Sequence, residues 1–289
     1  MTNDRFDIHQ HITNQIIAAI EQGVGEFQLP WHKNRGDIFR PKNATTSQFY
    51  RGVNVLALWA ASEQRGFNSG QWATYRQWAS IGAQVRKGEK STYIVFYKQL
   101  SANEETDEAR LIARASPVFA AEQVDGYAPD LPEAGEPVDP IETAEQFVTS
   151  TKATVIHGGD RAFYRRTTDD IHLPSREAFI GTATISATES YYATLLHELT
   201  HWTSHASRCD RELGKRFGDQ AYAMEELIAE LGAAFLCAEL GIASETRPDH
   251  SQYLSGWLSV LQNDKRAIFT AASKASAACD FLRGLQPPD

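Results

Sequence analysis

The strongest constraint on this chain is one pentapeptide, His197-Glu198-Leu199-Thr200-His201, inside an apolar run from Tyr191 to Trp202. Two histidines four residues apart lie one above the other on a helix, so both imidazoles can reach a single metal ion. The glutamate after the first histidine points toward the same cleft, where it can take a proton from a water without ligating the metal. H-E-x-x-H is on this account a zinc-hydrolase signature. Leu195, Leu196 and Leu199 supply the helix with an apolar face, and Ser190 or Thr188 is its expected cap.

A site of this kind needs a third protein ligand. The segment from Met224 to Phe235 offers acids among residues that otherwise read as core. Glu226 and Glu230 share one helix face. Glu226 is the expected third ligand, with Glu230 behind it holding a histidine N–H; the two roles could be exchanged, or both acids could be ordinary solvated helix residues. Ala229, Gly232, Ala233 and Ala234 would let this helix press closely on another. The metzincin pattern requires a glycine and a third histidine where Ser204 and Ser207 stand, so the site is gluzincin-like. His205, rotated by about 80° from His197 on an ideal helix, is read as a helix-end residue. Zn²⁺ is the default ion for two imidazoles and a carboxylate, with Mn²⁺ or another divalent cation as the alternative. No oxyanion-stabilising group is assignable; Tyr164, His172, Tyr191 and Tyr192 are candidates by proximity in sequence.

A chain of 289 residues accommodates two domains, each with its own core. No apolar run of about 18 residues occurs, so no membrane span is expected. Met1 to Arg5 lacks the basic and apolar regions of a secretory signal. Cys209, Cys237 and Cys279 are odd in number and widely spaced, which argues for a reducing cytoplasm rather than a disulfide framework.

The net charge of −9 argues against nucleic acid until its distribution is read. From Trp31 to Lys98 there are 11 Lys or Arg against three acids, a balance of +8, so the remainder carries −17. A basic segment joined to an acidic one implies two surfaces with different partners.

Asp7 to Gln22 reads as an amphipathic helix with Ile8, Ile12, Ile16, Ile17 and Ile20 on one side. A second helix runs from near Val53 to Gly66, and a third is expected from Gln71 to Ile81. Ser91 to Tyr97 and Leu111 to Val124 read as strands closing an antiparallel hairpin. Tyr127 to Pro140, rich in Pro, Gly, Asp and Glu, is the expected interdomain region. Short strands follow at 154–157, 162–164 and 170–174, the last expected to be an edge that binds an extended peptide. Helices then dominate, with a break expected between His250 and Leu285. The fold class is therefore α+β in two domains: 1–128, a linker at 129–140, and 141–289.

Trp31, Trp59, Trp72 and Trp78 are interleaved with the positive charges of the first half. Single-stranded nucleic acid binding needs this pairing, because cations track phosphates while aromatic faces stack on bases. The plainer alternative places Trp59 and Trp78 in the core and the charges on a solvated rim.

Pro30-Trp31, Asn43 to Thr46, Tyr50 to Asn54, Trp72 to Gln77 and Gly82 to Lys90 together resemble the N-terminal domain of ArdC-type antirestriction proteins. His197 to Thr203 and Glu225 to Ala233 are similar to their C-terminal metallopeptidase-like domain. The resemblance spans nearly the whole chain in order. It implies a plasmid-carried protein with a non-specific single-stranded-DNA-binding domain and a zincin-like domain, shielding incoming plasmid DNA from host restriction during conjugation. The candidate DNA-binding residues are Trp31, Lys42, Tyr50, Arg51, Trp72, Tyr75, Arg76, Arg86, Lys87 and Lys90. A rival reading makes the protein an active zinc metallopeptidase directed at a host protein, with Glu198 as the base. A third keeps the metal as a structural clip between two helices.

Overall fold

Four of the five isoleucines of the first helix, α1 (Ile8–Gly23), fall at steps of four, and these, Ile8, Ile12, Ile16 and Ile20, form one buried stripe. The computed structural model to which α1 belongs describes residues 7–23, 40–100, 110–129, 140–181, 185–212, 220–243 and 251–287. Trp31 and most of the expected linker lie outside those residues. α1 packs on α2 (Val53–Arg65), which ends at Gly66 in the left-handed region (φ 69°), where the Gly66 N–H reaches back to the Ser62 carbonyl.

Four strands form the N-terminal sheet in the order β1 (Lys42–Asn43), β2 (Gln71–Ala73), β5 (Arg110–Ala120), β4 (Thr92–Leu100). β4 and β5 are the expected antiparallel hairpin, in register from Thr92 opposite Val118 to Leu100 opposite Arg110. Short β3 (Gln84–Val85) and β6 (Val124–Asp125) pair beside it.

One expected helix is divided. Residues 71–73 are β2, parallel to β1 and antiparallel to β5, and only Tyr75–Ser80 is helical (α3). Trp72, Tyr75 and Trp78, three apart, imitate a helical stripe. The deciding local signal is Thr74, whose side chain accepts from the Gln77 N–H while Gln77 returns a bond to the Thr74 N–H, a capping box that starts α3 there.

The second half opens with α4 (Pro140–Thr151), followed by the sheet β7 (Thr154–His157), β9 (Asp170–Leu173), β8 (Phe163–Arg165). β9 is central, parallel to β7 and antiparallel to β8. The expectation that β9 is an edge strand is thus corrected: both of its sides are already hydrogen-bonded, and β7 and β8 are the edges. α5 (Ala187–Trp202), α6 (Gln220–Leu240), α7 (Ser251–Asn263) and α8 (Ala267–Gly284) complete the chain, with the expected break between the last two.

The two halves do not keep separate cores. One cluster of buried side chains runs from α1, α2 and the hairpin into α5, α6 and α8, and Trp59 of α2 meets Phe235 of α6 at a ring separation of 5.8 Å. A smaller cluster of Ala73, Trp78, Ala83, Val85, Ala121 and Val124 belongs to the N-terminal half. No helix among the described residues is long and apolar enough to cross a membrane.

Candidate metal centre and nucleic-acid surface

α5 starts at Ser186, not at Ser190 or Thr188. Ser186 accepts from the Glu189 N–H, and Glu189 bonds back to the Ser186 N–H, the reciprocal box that fixes a helix start. From that start, His197 and His201 fall one turn apart on a buried face, their ring centroids separated by 4.9 Å.

α6 comes close enough to complete the group because Gly232 has no side chain. A Cβ there would lie 2.5 Å from the Thr200 methyl. Six residues before Gly232, the Glu226 carboxylate lies between both imidazoles: one oxygen is 3.6 Å from His197 Nε2 and the other 3.6 Å from His201 Nε2. These separations are too long for hydrogen bonds. They match groups converging on a common centre, since ligands at zinc-like bond lengths in a tetrahedron stand about 3.4 Å apart. Among the described residues, His197, His201 and Glu226 are the group that could hold a metal ion, with ligand atoms all within 4.8 Å of one another.

The opposite ring nitrogens face acids as well. Glu230 is 3.6 Å from His197 Nδ1, and Glu225 is 3.3 Å from His201 Nδ1. Glu225 is itself clamped by Arg211, whose Nε and Nη2 donate to its two oxygens at 3.0 and 2.8 Å. The same guanidinium donates to the Thr203 hydroxyl and the Thr200 carbonyl, both at 2.8 Å. Sequence reasoning missed Glu225 and Arg211 in these roles. The signal was an acid beside Glu226 on a helix otherwise made of core residues, answered by one arginine ten residues beyond His201.

Burial alone would depress the His201 pKa, but the hydrogen bond to Glu225 and the nearby carboxylate charges of Glu226 and Glu198 raise it to about 10. Burial opposes ionisation of Glu226, and the two histidines overcome it, holding its carboxyl far below the usual range. Glu198 is buried on α5 beside the histidines. His205 is no part of the group; its Nδ1 pairs with the Ser207 hydroxyl at 2.8 Å in the turn after α5. The four oxyanion candidates have other partners: Tyr164 donates to Asp169, His172 pairs with Asp170, Tyr191 with His157, and Tyr192 donates to Glu145.

In the N-terminal half the candidate DNA-binding residues separate. Trp72 is 0 % exposed and Tyr50 is buried with its hydroxyl on the Trp72 carbonyl, so neither ring is offered to a base. Tyr75, half exposed, and Arg76 project from the first turn of α3. The Tyr75 hydroxyl accepts from Gln84, which holds the ring beside β3 and the turn carrying Lys87 and Lys90, both exposed. Arg86 is tied down by the Val124 and Glu122 carbonyls and by Glu89, knitting β3 to β6. Lys42 is half-buried on β1. Arg51 is exposed and ion-paired with Asp280 of α8. Phe49, Phe96 and Tyr97 are exposed rings that the sequence reading passed over; Arg40 lies over Phe49 at 4.9 Å.

Two family models match the chain: the N-terminal domain of anti-restriction factor ArdC over residues 6–125, and a zincin-like metallopeptidase over residues 142–274. An uncharacterized protein, y4eC, of Sinorhizobium fredii (strain NBRC 101917 / NGR234) is 44 % identical, over 99 % of this chain and 96 % of its own length. Two Escherichia coli DNA primases TraC are 38 and 36 % identical over 95 % of this chain, which spans only 27 and 20 % of their lengths. Crystal structures of the antirestriction ArdC protein from the R388 plasmid, one metal-free and one Mn(II)-bound, each superpose with a TM-score of 0.76 at 38 % identity, over 97 % of this chain and 98 % of theirs.

Proposed function

The chain belongs to the ArdC family of antirestriction proteins, and on that premise we propose that it binds single-stranded DNA without sequence preference and shields plasmid DNA from host restriction during conjugation. The observation that carries this reading is the full-length likeness, at 38 % identity, to an antirestriction protein from a plasmid. In this reading residues 1–128 grip the strand, 129–140 link, and 141–289 form the zincin-like domain. Tyr75 supplies a stacking face and Arg76, Lys87 and Lys90 supply charge to the phosphates. The site of action is the cytoplasm, consistent with three free thiols.

His197, His201 and Glu226 would hold a divalent cation, Zn²⁺ by donor chemistry or Mn²⁺ as in the R388 relative. Bound there, the ion would supply Lewis-acid polarisation and lower the pKa of a coordinated water. Glu225 is hydrogen-bonded to His201 Nδ1, which aims that ring's Nε2 at the shared centre, and Glu230 places a carboxylate 3.6 Å from His197 Nδ1 on the corresponding side. Were a peptide bond hydrolysed there, Glu198 would take a proton from the attacking water on its carboxylate and return it to the departing amine as the C–N bond breaks.

A second reading makes the protein an active metallopeptidase that cleaves a host protein, with DNA binding serving to localise it. A purely structural metal clip would need no base, so the burial of Glu198 beside the histidines favours this reading over the clip. One comparison tests both: plasmid transfer into a restricting host with wild type, Glu198→Gln and Arg76→Glu/Lys87→Glu. Loss of protection only in the charge-reversed protein supports DNA shielding; loss in Glu198→Gln supports proteolysis. Wild-type protein that binds no oligonucleotide at low salt would refute the shielding reading.

A further inference from the structure

We infer that the cleft between α8 and the start of α2 is a second nucleic-acid-binding site, which takes the phosphate backbone of a single strand and so places the strand against both halves of the protein. This rests on the strand-binding reading above. It adds a site on the zincin-like half, to which that reading gives no DNA contact.

The cleft has a volume of about 1090 Å³, and its lining includes Arg51 and Tyr97 from the N-terminal half and Arg266, Ser273 and Lys274 from the C-terminal half. Its walls are already joined. The Gly52 N–H donates to the Ser276 hydroxyl at 2.9 Å, tying the start of α2 to α8. Asn54 exchanges two hydrogen bonds with the Val95 backbone, at 2.8 and 2.9 Å, tying α2 to β4. A ligand entering here meets a preformed surface, which spares the ordering cost of building one.

The charge at this cleft runs against its surroundings. From residue 141 onward the chain carries 14 Lys or Arg against 20 acids, yet the cations Arg266 and Lys274 line this cleft, both exposed. Neither makes an ion pair with a described residue. The acid in the cleft lining, Asp280, is already answered by Arg51 and by Arg283. Tyr97, 53 % exposed, adds an open ring, with its hydroxyl 3.3 Å from His9 Nε2. Paired cations, hydroxyl donors and an exposed ring are what a single strand uses: charge and hydroxyls for phosphate, the ring for a base. An acidic peptide would use the cations but not the ring.

The test is a fluorescence anisotropy titration of the full-length protein with a labelled oligothymidylate, over a range of salt. Arg266→Glu/Lys274→Glu is expected to weaken binding by about tenfold or more and to reduce the log–log salt slope by about 1.4, the release from two phosphate contacts on a single strand. Tyr97→Ala is expected to weaken it about fivefold or more without changing the slope. Both changes are at exposed positions, and matching thermal midpoints confirm that the fold is kept. If these variants bind like wild type while Arg76→Glu/Lys87→Glu loses affinity, the cleft is excluded and strand binding by the N-terminal half stands. If wild type binds no oligonucleotide, both readings fail. Displacement of the oligonucleotide by polyglutamate of equal charge would overturn the cleft as a nucleic-acid site.

Discussion

Glu225 Oε1 stands 3.3 Å from His201 Nδ1 and 2.8 Å from Arg211 Nη2, so one carboxylate orients an imidazole and answers a buried guanidinium. Arg211 and Glu225 side chains are each 4 % exposed. Breaking such a pair by removing one charge costs about 3–5 kcal/mol, because the other is left buried and uncompensated. Glu225→Gln is therefore expected to lower the thermal midpoint of the metal-free protein. It should also lower divalent-metal affinity by about 10–100-fold, the usual effect of losing a partner behind a ligating histidine. Competition with a chromophoric chelator measures the affinity. An unchanged value would mean that the ring is oriented by something other than Glu225.

The His201 pKa, raised to about 10 from an ordinary 6.5, makes metal loading depend on pH. Because the folded value is the higher one, the proton stabilises the metal-free protein fully below about pH 6.5, and that contribution is lost as pH rises through about 10. Ligation requires the Nε2 lone pair, so a cation must expel this proton. Metal affinity is expected to rise with pH across that window, with close to one proton released per ion at pH 7. Calorimetric titration in two buffers of different ionisation heat counts the protons; a count of zero at pH 7 would contradict the raised pKa.

The H-E-x-x-H helix and the acid helix that faces it were legible because their signals are local: two histidines at one helical turn, and acids at one helical turn among small and apolar residues. The helix starts were equally local, and were misplaced because Ser186-x-x-Glu189 and Thr74-x-x-Gln77 were not read as capping boxes. The central position of β9 was not legible. Strand order depends on which neighbours compete for its two sides, and the pattern of 170–173 carries no record of that. Nor could composition separate Trp72 from Tyr75. Both are aromatic and close to basic residues, but β2 is buried on both faces, whereas Tyr75 begins a helix that has one face in solvent.

Gly232 allows α5 and α6 to approach, and the group at the metal centre depends on that approach. Thr200 cannot yield to a new Cβ easily, since it is fully buried and its hydroxyl donates to the Leu196 carbonyl at 2.8 Å. Gly232→Ala gains about 1 kcal/mol of helix propensity against an overpacking cost of about 1–3 kcal/mol, and the clash at 2.5 Å is expected to win. Thermal midpoint and metal affinity should both fall. Adding Thr200→Ala should restore part of each, since residues in contact couple non-additively. Additive losses in the double variant would place the constraint elsewhere.

Trp72 and Tyr75 give opposite expected outcomes from the same substitution. Trp72→Ala removes a fully buried ring that meets Phe67 at 5.8 Å, and should destabilise the fold by about 3–5 kcal/mol. Any loss of oligonucleotide binding should then follow the unfolded fraction and disappear on cooling. Tyr75→Ala removes a half-exposed ring and its one bond to Gln84, so stability should change by only about 0.5 kcal/mol. Its affinity for single strands should fall by about 1–3 kcal/mol, the worth of one base stack. Denaturant melts and anisotropy on the two variants separate the roles. Full binding by folded Tyr75→Ala would remove α3 from the strand-binding surface and leave its arginine and the neighbouring turn to bind by charge alone.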